Sequence, residues 1–426
     1  MPDFIDALCA HTDTELQLSA SADEPGYCCV LGSGECGKST LLSSVLPGYK
    51  EGSSLPPTIG LGYHTLRCPA GTALLRRDVV NVFEVGGEAG GGGAAEWLAI
   101  PLTPQRLPAC AVVVVLDCGR PLELCATAVK VFGAIRRRVE ECCERLARAA
   151  AKGGSSIASG AANPEALASQ ALARMALGYA QREGQLAPQQ QQQQQPLPPH
   201  PDSATLLRQG GAHPTLLPLP TLLVGARWDL VREAPQPARS ALLAALRFLA
   251  LAHGAALVLT SHRDRASLGA FRGALLSATF GLEGRRQASW EAEPMQAPAG
   301  ADTLAELLLH AGQALGAGCS AAELGSTERP LEARLQGLAQ AIAAALPQGW
   351  GGEGSSSSSG SRAGEGAEED LALAYPEPAI DALVAAKESA ASAAREARER
   401  ERRQGEAEKR ALAAAAGGGA EKLATG

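Results

Sequence analysis

The sequence predicts an α/β protein with a six-stranded, mostly parallel sheet, followed by a helical and partly disordered C-terminal extension. Three observations carry that expectation. Short apolar or β-branched runs alternate with helical patterns between Gly26 and Glu283, the mark of crossover units rather than of a helix bundle or a sandwich. No polar residue interrupts Val112–Val115, as expected of a strand buried on both faces. A glycine-rich turn ending in lysine follows the first apolar run directly and opens a helical one.

Taken in order, strands are expected at Tyr27–Leu31, His64–Cys68, Asp78–Glu84, Ala111–Asp117, Leu219–Gly225 and Ala256–Thr260. Helices are expected at Gly37–Leu46, Pro121–Ala150, Ala238–His253 and Ser267–Phe280. Residues 1–25 form a polar lead-in, and 26–285 form the core domain. Residues 151–218 interrupt that core with an alanine-rich stretch, the run Gln189–Gln195 and a proline-rich segment. Such composition buries too little apolar surface to order itself. Because it separates a helix from the next strand, the insertion belongs at the amino edge of the sheet, away from the carboxyl edge where ligands bind. Its deletion is expected to be tolerated. Residues 286–350 read as an alanine-rich helical extension, 351–370 as a flexible linker with five consecutive serines, and 371–426 as a charged helical tail. The block Arg395–Arg403 reads most simply as a solvated helix face.

Composition narrows the function. A chain of 426 residues has room for two to three domains. The net charge of -7, with aromatics at only 4%, argues against a nucleic-acid binder. The eleven cysteines are odd in number and contain no CxxC pair, and Cys28/Cys29 and Cys142/Cys143 are sequence neighbours. That suits buried thiols in a reducing compartment better than disulfides or a zinc site. Met1-Pro2-Asp3 opens no signal peptide, and apolar runs such as Ala111–Leu116 are too short to span a bilayer. A soluble intracellular protein is expected.

The sharpest local signal is Gly32-Ser33-Gly34-Glu35-Cys36-Gly37-Lys38-Ser39, which fits G-x-x-x-x-G-K-[ST] and runs on into Thr40. Its position between a strand and a helix separates a real phosphate loop from a chance match. Glycines let backbone N–H groups turn toward phosphate oxygens, and the helix N-terminus adds its positive end. Lys38 is expected to reach the terminal phosphates and the Ser39 hydroxyl to ligate magnesium. Thr58 reads equally as a switch threonine closing on magnesium or as an ordinary loop residue.

The remaining stations are altered. The usual D-x-x-G stands here as Glu84-Val85-Gly86-Gly87, so the carboxylate is one methylene longer. Glu88 falls where a glutamine usually orients the attacking water, and a second negative charge there disfavours hydrolysis. On the base side, Gly225-Ala226-Arg227-Trp228-Asp229 replaces N/T-K-x-D. Asp229 can accept from guanine N1 and N2, and the Arg227 stem can cover the base, but Ala226 lacks the bracing amide. Each lost neutral hydrogen bond weakens binding by roughly 0.5–1.5 kcal/mol. Ser261, in Thr260-Ser261-His262, is a remnant of the last base-side loop, and His262 reads as a surface histidine. The expected cofactor is GTP or GDP with magnesium, held with little or no turnover.

Several stretches together resemble the dynein light intermediate chain family, most closely its cytoplasmic dynein 2 branch. They are Phe83–Gly87, Ile100-Pro-Leu-Thr103, Val113–Asp117, Leu222–Asp229, Leu246–Ser261 and Phe271–Gly281, spanning about residues 26–285 with weaker similarity to about Gly312. Leu246–Ser261 is the most distinctive, because no nucleotide motif demands it. The resemblance implies a Ras-like P-loop domain used as a rigid, non-catalytic subunit. Its partners would be the dynein 2 heavy chain, other dynein 2 subunits and intraflagellar transport trains, with no nucleic acid and no membrane insertion. It further implies retrograde transport and cilium assembly, and a location in the cytoplasm, cytoskeleton, cilium or flagellum and basal body. The competing reading is an active Ras-like GTPase switch. A heterotrimeric G-protein α subunit is excluded, because Lys38 and Thr58 leave no room between them for its helical domain.

Overall fold

The computed structural model describes residues 25–46, 58–67, 79–86, 96–151, 164–182, 199–203, 215–280, 295–314, 324, 326 and 329–347. All of them belong to one compact unit, Met1–Gly351. The glutamine tract, Glu88, the serine-rich linker and the charged tail lie outside the described residues.

The chain lays down β1 (Gly26–Gly32), α1 (Lys38–Val45), β2 (Leu61–Arg67), β3 (Val79–Val85), β4 (Cys110–Asp117) and α2 (Pro121–Ala151). After α3 (Pro164–Arg182) come β5 (Thr221–Ala226), α4 (Trp228–Arg232), α5 (Gln236–His253), β6 (Ala256–Leu259) and α6 (Arg265–Phe280). Then follow β7 (Gln296–Ala297), α7 (Leu304–Ala314) and α8 (Leu331–Ala345). The sheet order is β2-β3-β1-β4-β5-β6-β7. Strands β3, β1, β4, β5 and β6 run parallel, while β2 and β7 are antiparallel edge strands. The α/β class with a mostly parallel sheet is therefore as expected, with one further strand. A two-residue strand such as β7 leaves no periodicity in the sequence to detect.

Alternation along the strands divides the core. Cys29, Leu31, Val112, Val114, Leu116 and Leu223 face a layer made by α2, α3, α5 and α8. Cys28, Val30, Val113, Val115, Leu222 and Val224 face α1 and α6. Every residue of β4 is buried, which accounts for its uninterrupted valines.

The expectation of a loop throughout 151–218 does not hold for α3. Leu167, Ala171, Met175, Ala176 and Ala180 are buried in it. The Arg174 guanidinium donates to the Pro218 carbonyl at 2.9 Å, just before β5. Gly178 meets the Ala299 carbonyl and Gly300 meets the Met175 backbone so closely that a Cβ at either position would collide. Arg182 donates to Glu306 Oε1 at 2.7 Å and lies 3.9 Å from Asp302. Asp302 in turn pairs with buried Arg247, and its carbonyl meets His200 Nε2 at 2.9 Å. The extension packs on the core as well: Leu307, Leu331, Leu335, Leu338 and Ile342 share the cluster of α2 and α5. These contacts sit at the amino end of β5, so the expected distance between insertion and ligand edge is kept.

Candidate nucleotide site

Parallel strands place their carboxyl ends at one edge, and β1 lies where the order of connection reverses, with β3 on one side and β4 on the other. Ligands bind at such a point. The loops gathered there are Ser33–Gly37 after β1, Gly86 after β3, Cys118–Arg120 after β4, Arg227 after β5 and Thr260–His262 after β6.

The phosphate loop is shaped by close approach. A Cβ on Gly32 would strike the Val115 carbonyl and lie 2.7 Å from Cys36 Sγ. Gly37 has φ 93 and Glu35 φ 58, both in the left-handed region. A Cβ on Gly34 or Gly37 would meet nothing within 4 Å, so both border open space. Lys38 is buried and donates to the Ser33 carbonyl at 2.6 Å and the Gly32 carbonyl at 3.2 Å. Its ammonium thus caps the loop's own oxygens beside the space that phosphate oxygens would fill. Burial pushes the Cys36 thiol above its ordinary range despite nearby Lys38, so it is no nucleophile here.

Ser39 donates its hydroxyl proton to Glu84 Oε1 at 2.6 Å, leaving its lone pairs available. The longer glutamate therefore reaches Ser39 directly. Glu84 is buried, and its Oε2 has no hydrogen-bond partner, with His64 Nε2 3.9 Å away. Thr58 packs on Gly62 and Gly86 beside the Glu84 Cβ. Residues for a magnesium site are brought together: a hydroxyl with free lone pairs and a carboxylate oxygen free to accept from a metal-bound water.

A pocket of about 210 Å³ runs from the phosphate loop to the base side, lined by Glu35, Cys36, Gly37, Thr40, Arg227 and His262 among others. Arg227, at φ 59, donates to Asp117 Oδ2 at 3.0 Å. Asp229 stands in the next helix, α4, and its Oδ1 is buried without a partner. Thr260 lines the pocket, and its Oγ1 is also buried without a partner. Ser261 is placed differently from the expectation. Its hydroxyl accepts from Arg263 N–H at 3.2 Å and its N–H donates to Ser267 Oγ at 3.0 Å. It serves the turn, and His262 and Thr260 supply the pocket wall instead. Glu35 also reaches Arg120 at 3.3 Å in an exposed ion pair. Asp117 and Arg120 are not legible as site residues in the sequence, because no motif names them, while Thr260 stands in the quoted base-side tripeptide of which only Ser261 is expected at the site.

No protein-family model matches the chain. Among curated proteins, cytoplasmic dynein 2 light intermediate chain 1 of Danio rerio is 26% identical over 301 residues, which is 70% of this chain and 71% of that protein. The Mus musculus protein of the same name is 23% identical over 278 residues, 65% of this chain and 66% of its own length. The chain is a relative of the dynein light intermediate chains. Among solved structures, the conserved domain of a dynein light intermediate chain aligns with TM-score 0.47 and 14% identity, over 74% of this chain and 97% of that one. The described residues contain no helix long and apolar enough to cross a membrane, and no group of three or more His, Cys, Asp or Glu able to hold a metal ion.

Proposed function

We propose that the chain is a non-catalytic accessory subunit of cytoplasmic dynein 2. It binds and stabilises the motor heavy chain for retrograde intraflagellar transport and cilium assembly. It works in the cytoplasm, cytoskeleton, cilium and basal body, alongside other dynein 2 subunits and transport trains. The observation that carries this reading is the similarity to the dynein 2 light intermediate chain over 70% of the sequence.

The site is read as a structural seat for GDP or GTP. Backbone N–H groups of Gly34–Lys38 cradle the phosphates, and Lys38 turns from the Gly32 and Ser33 carbonyls toward the phosphate oxygens. Magnesium would be held by Ser39, with Thr58 and Glu84 Oε2 facing its water shell, and would neutralise phosphate charge. Asp229 accepts from the guanine edge, and Arg227 covers the base. A second carboxylate at Glu88, where a neutral amide orients water in active GTPases, opposes turnover.

The test is purification of the full chain from ciliated cells at mild salt, with and without Lys38→Ala. A dynein heavy chain is expected with both, while nucleotide released on denaturation falls several-fold in the variant. Turnover matching an activated GTPase, or no heavy chain at all, would overturn the reading.

A further inference from the structure

The base side lacks the amide that braces such loops, since Ala226 stands in its place. Yet the loop is held. Trp228 N–H donates to the Thr260 carbonyl at 3.0 Å, and Cys118 N–H donates to the Ala226 carbonyl at 3.0 Å. The Arg227 side chain is fixed from the far side, by β4. Asp117 is buried, with one oxygen accepting from Gly119 N–H at 2.8 Å and the other from Arg227 Nη1 at 3.0 Å. A Cβ on Gly119 would lie 2.9 Å from Leu230 Cδ1 and 3.0 Å from Asp117 Oδ1, the oxygen that accepts from Gly119 N–H. This turn therefore closes on Asp117 only without a side chain, and Arg227 Cδ lies beside it at 3.5 Å.

We infer that Asp117 is the positioning residue of the base side. Its buried carboxylate holds the Arg227 guanidinium over the pocket and replaces the missing amide at position 226, so nucleobase discrimination depends on it and grip on phosphate does not. The inference rests on the nucleotide reading above. The geometry separates the two halves of the pocket: Asp117 bonds to Gly119 and Arg227, whereas Lys38 and Ser39 bond to Gly32, Ser33 and Glu84. A hydrogen bond between charged groups holds a side chain more firmly than a neutral one. The fork of an arginine is also better fixed by a carboxylate than a lysine would be.

The experiment is calorimetric titration of the full-length protein with GDP, ADP and pyrophosphate, comparing wild type, Asp117→Asn, Arg227→Lys and the double variant Asp117→Asn/Ala226→Asn. Loss of a charge-assisted bond should weaken GDP by about tenfold in each single variant and shrink the GDP-over-ADP preference in step. Pyrophosphate affinity should stay within about twofold, and restoring the amide at 226 should recover part of the GDP loss. Arg227 is part-exposed, so its variant reports even if Asp117→Asn misfolds. The inference is overturned if GDP and pyrophosphate weaken together, or if the GDP-over-ADP ratio does not move. If the wild type binds none of the three ligands, the nucleotide reading fails and this inference goes with it. If it binds GDP with an unmoved ratio, only this inference fails.

Discussion

His253 ends α5 stacked on Phe132, with ring centroids 3.8 Å apart, and its Nδ1–H donates to the Thr215 carbonyl at 3.0 Å. Burial first, and Arg136 second, push its pKa down to about 3 from an ordinary 6.5. The ring is neutral in the folded chain and regains its ordinary affinity for a proton on unfolding. Stability from this site is therefore complete above about pH 6.5 and is lost as pH falls toward 3, by about 1.4 kcal/mol per pH unit at most. Urea unfolding at pH 7 and pH 5.5 should show a lower midpoint at the acid pH, and His253→Gln should flatten the difference. A wild-type midpoint that does not change between those two values would contradict this. At this scale the phosphate loop was legible in the sequence because its residues are contiguous. The Asp117–Arg227 pair was not, because its members are 110 positions apart and meet only across β4 and β5.

Among elements, α3 is the one whose sequence conceals it. Short apolar runs announced β1 and β5, four successive valines announced β4, and helical patterns announced α2 and α5. The apolar face of α3 is mostly alanine, which buries little area per turn, and a glutamine tract follows closely. Its place comes from tertiary contact: Met175 and Leu167 enter the core, and backbone meets backbone at Gly178 and Gly300. Met175→Ala should cost about 2–5 kcal/mol, the usual range for a buried large-to-small change. Excising 164–182 should lower the melting temperature by more than about 5 °C. Thermal scans of both variants check this, and unchanged melting would return α3 to the status of a dispensable loop.

For the whole molecule, the described core closes on itself: α7 and α8 complete the layer begun by α2 and α5, and all described elements fall within Met1–Gly351. The apolar residues after Trp350 are mainly alanines, so that segment offers a partner little apolar area for its length. Truncation after Trp350 should therefore weaken heavy-chain association several-fold without abolishing it, as read by co-purification at mild salt. An isolated 351–426 fragment that captured the heavy chain as well as the full chain does would assign the affinity to the tail.

Asp302 has a consequence for tract length. Arg182 approaches its carboxylate before the glutamine tract, and His200 meets its carbonyl after the tract. The described residues on either side of the repeat thus meet the core at a single residue. For a flexible loop, each doubling of length costs only about 0.6 kcal/mol of closure entropy. Variants with longer or shorter tracts are expected to keep both contacts at Asp302 and to melt at nearly the same temperature.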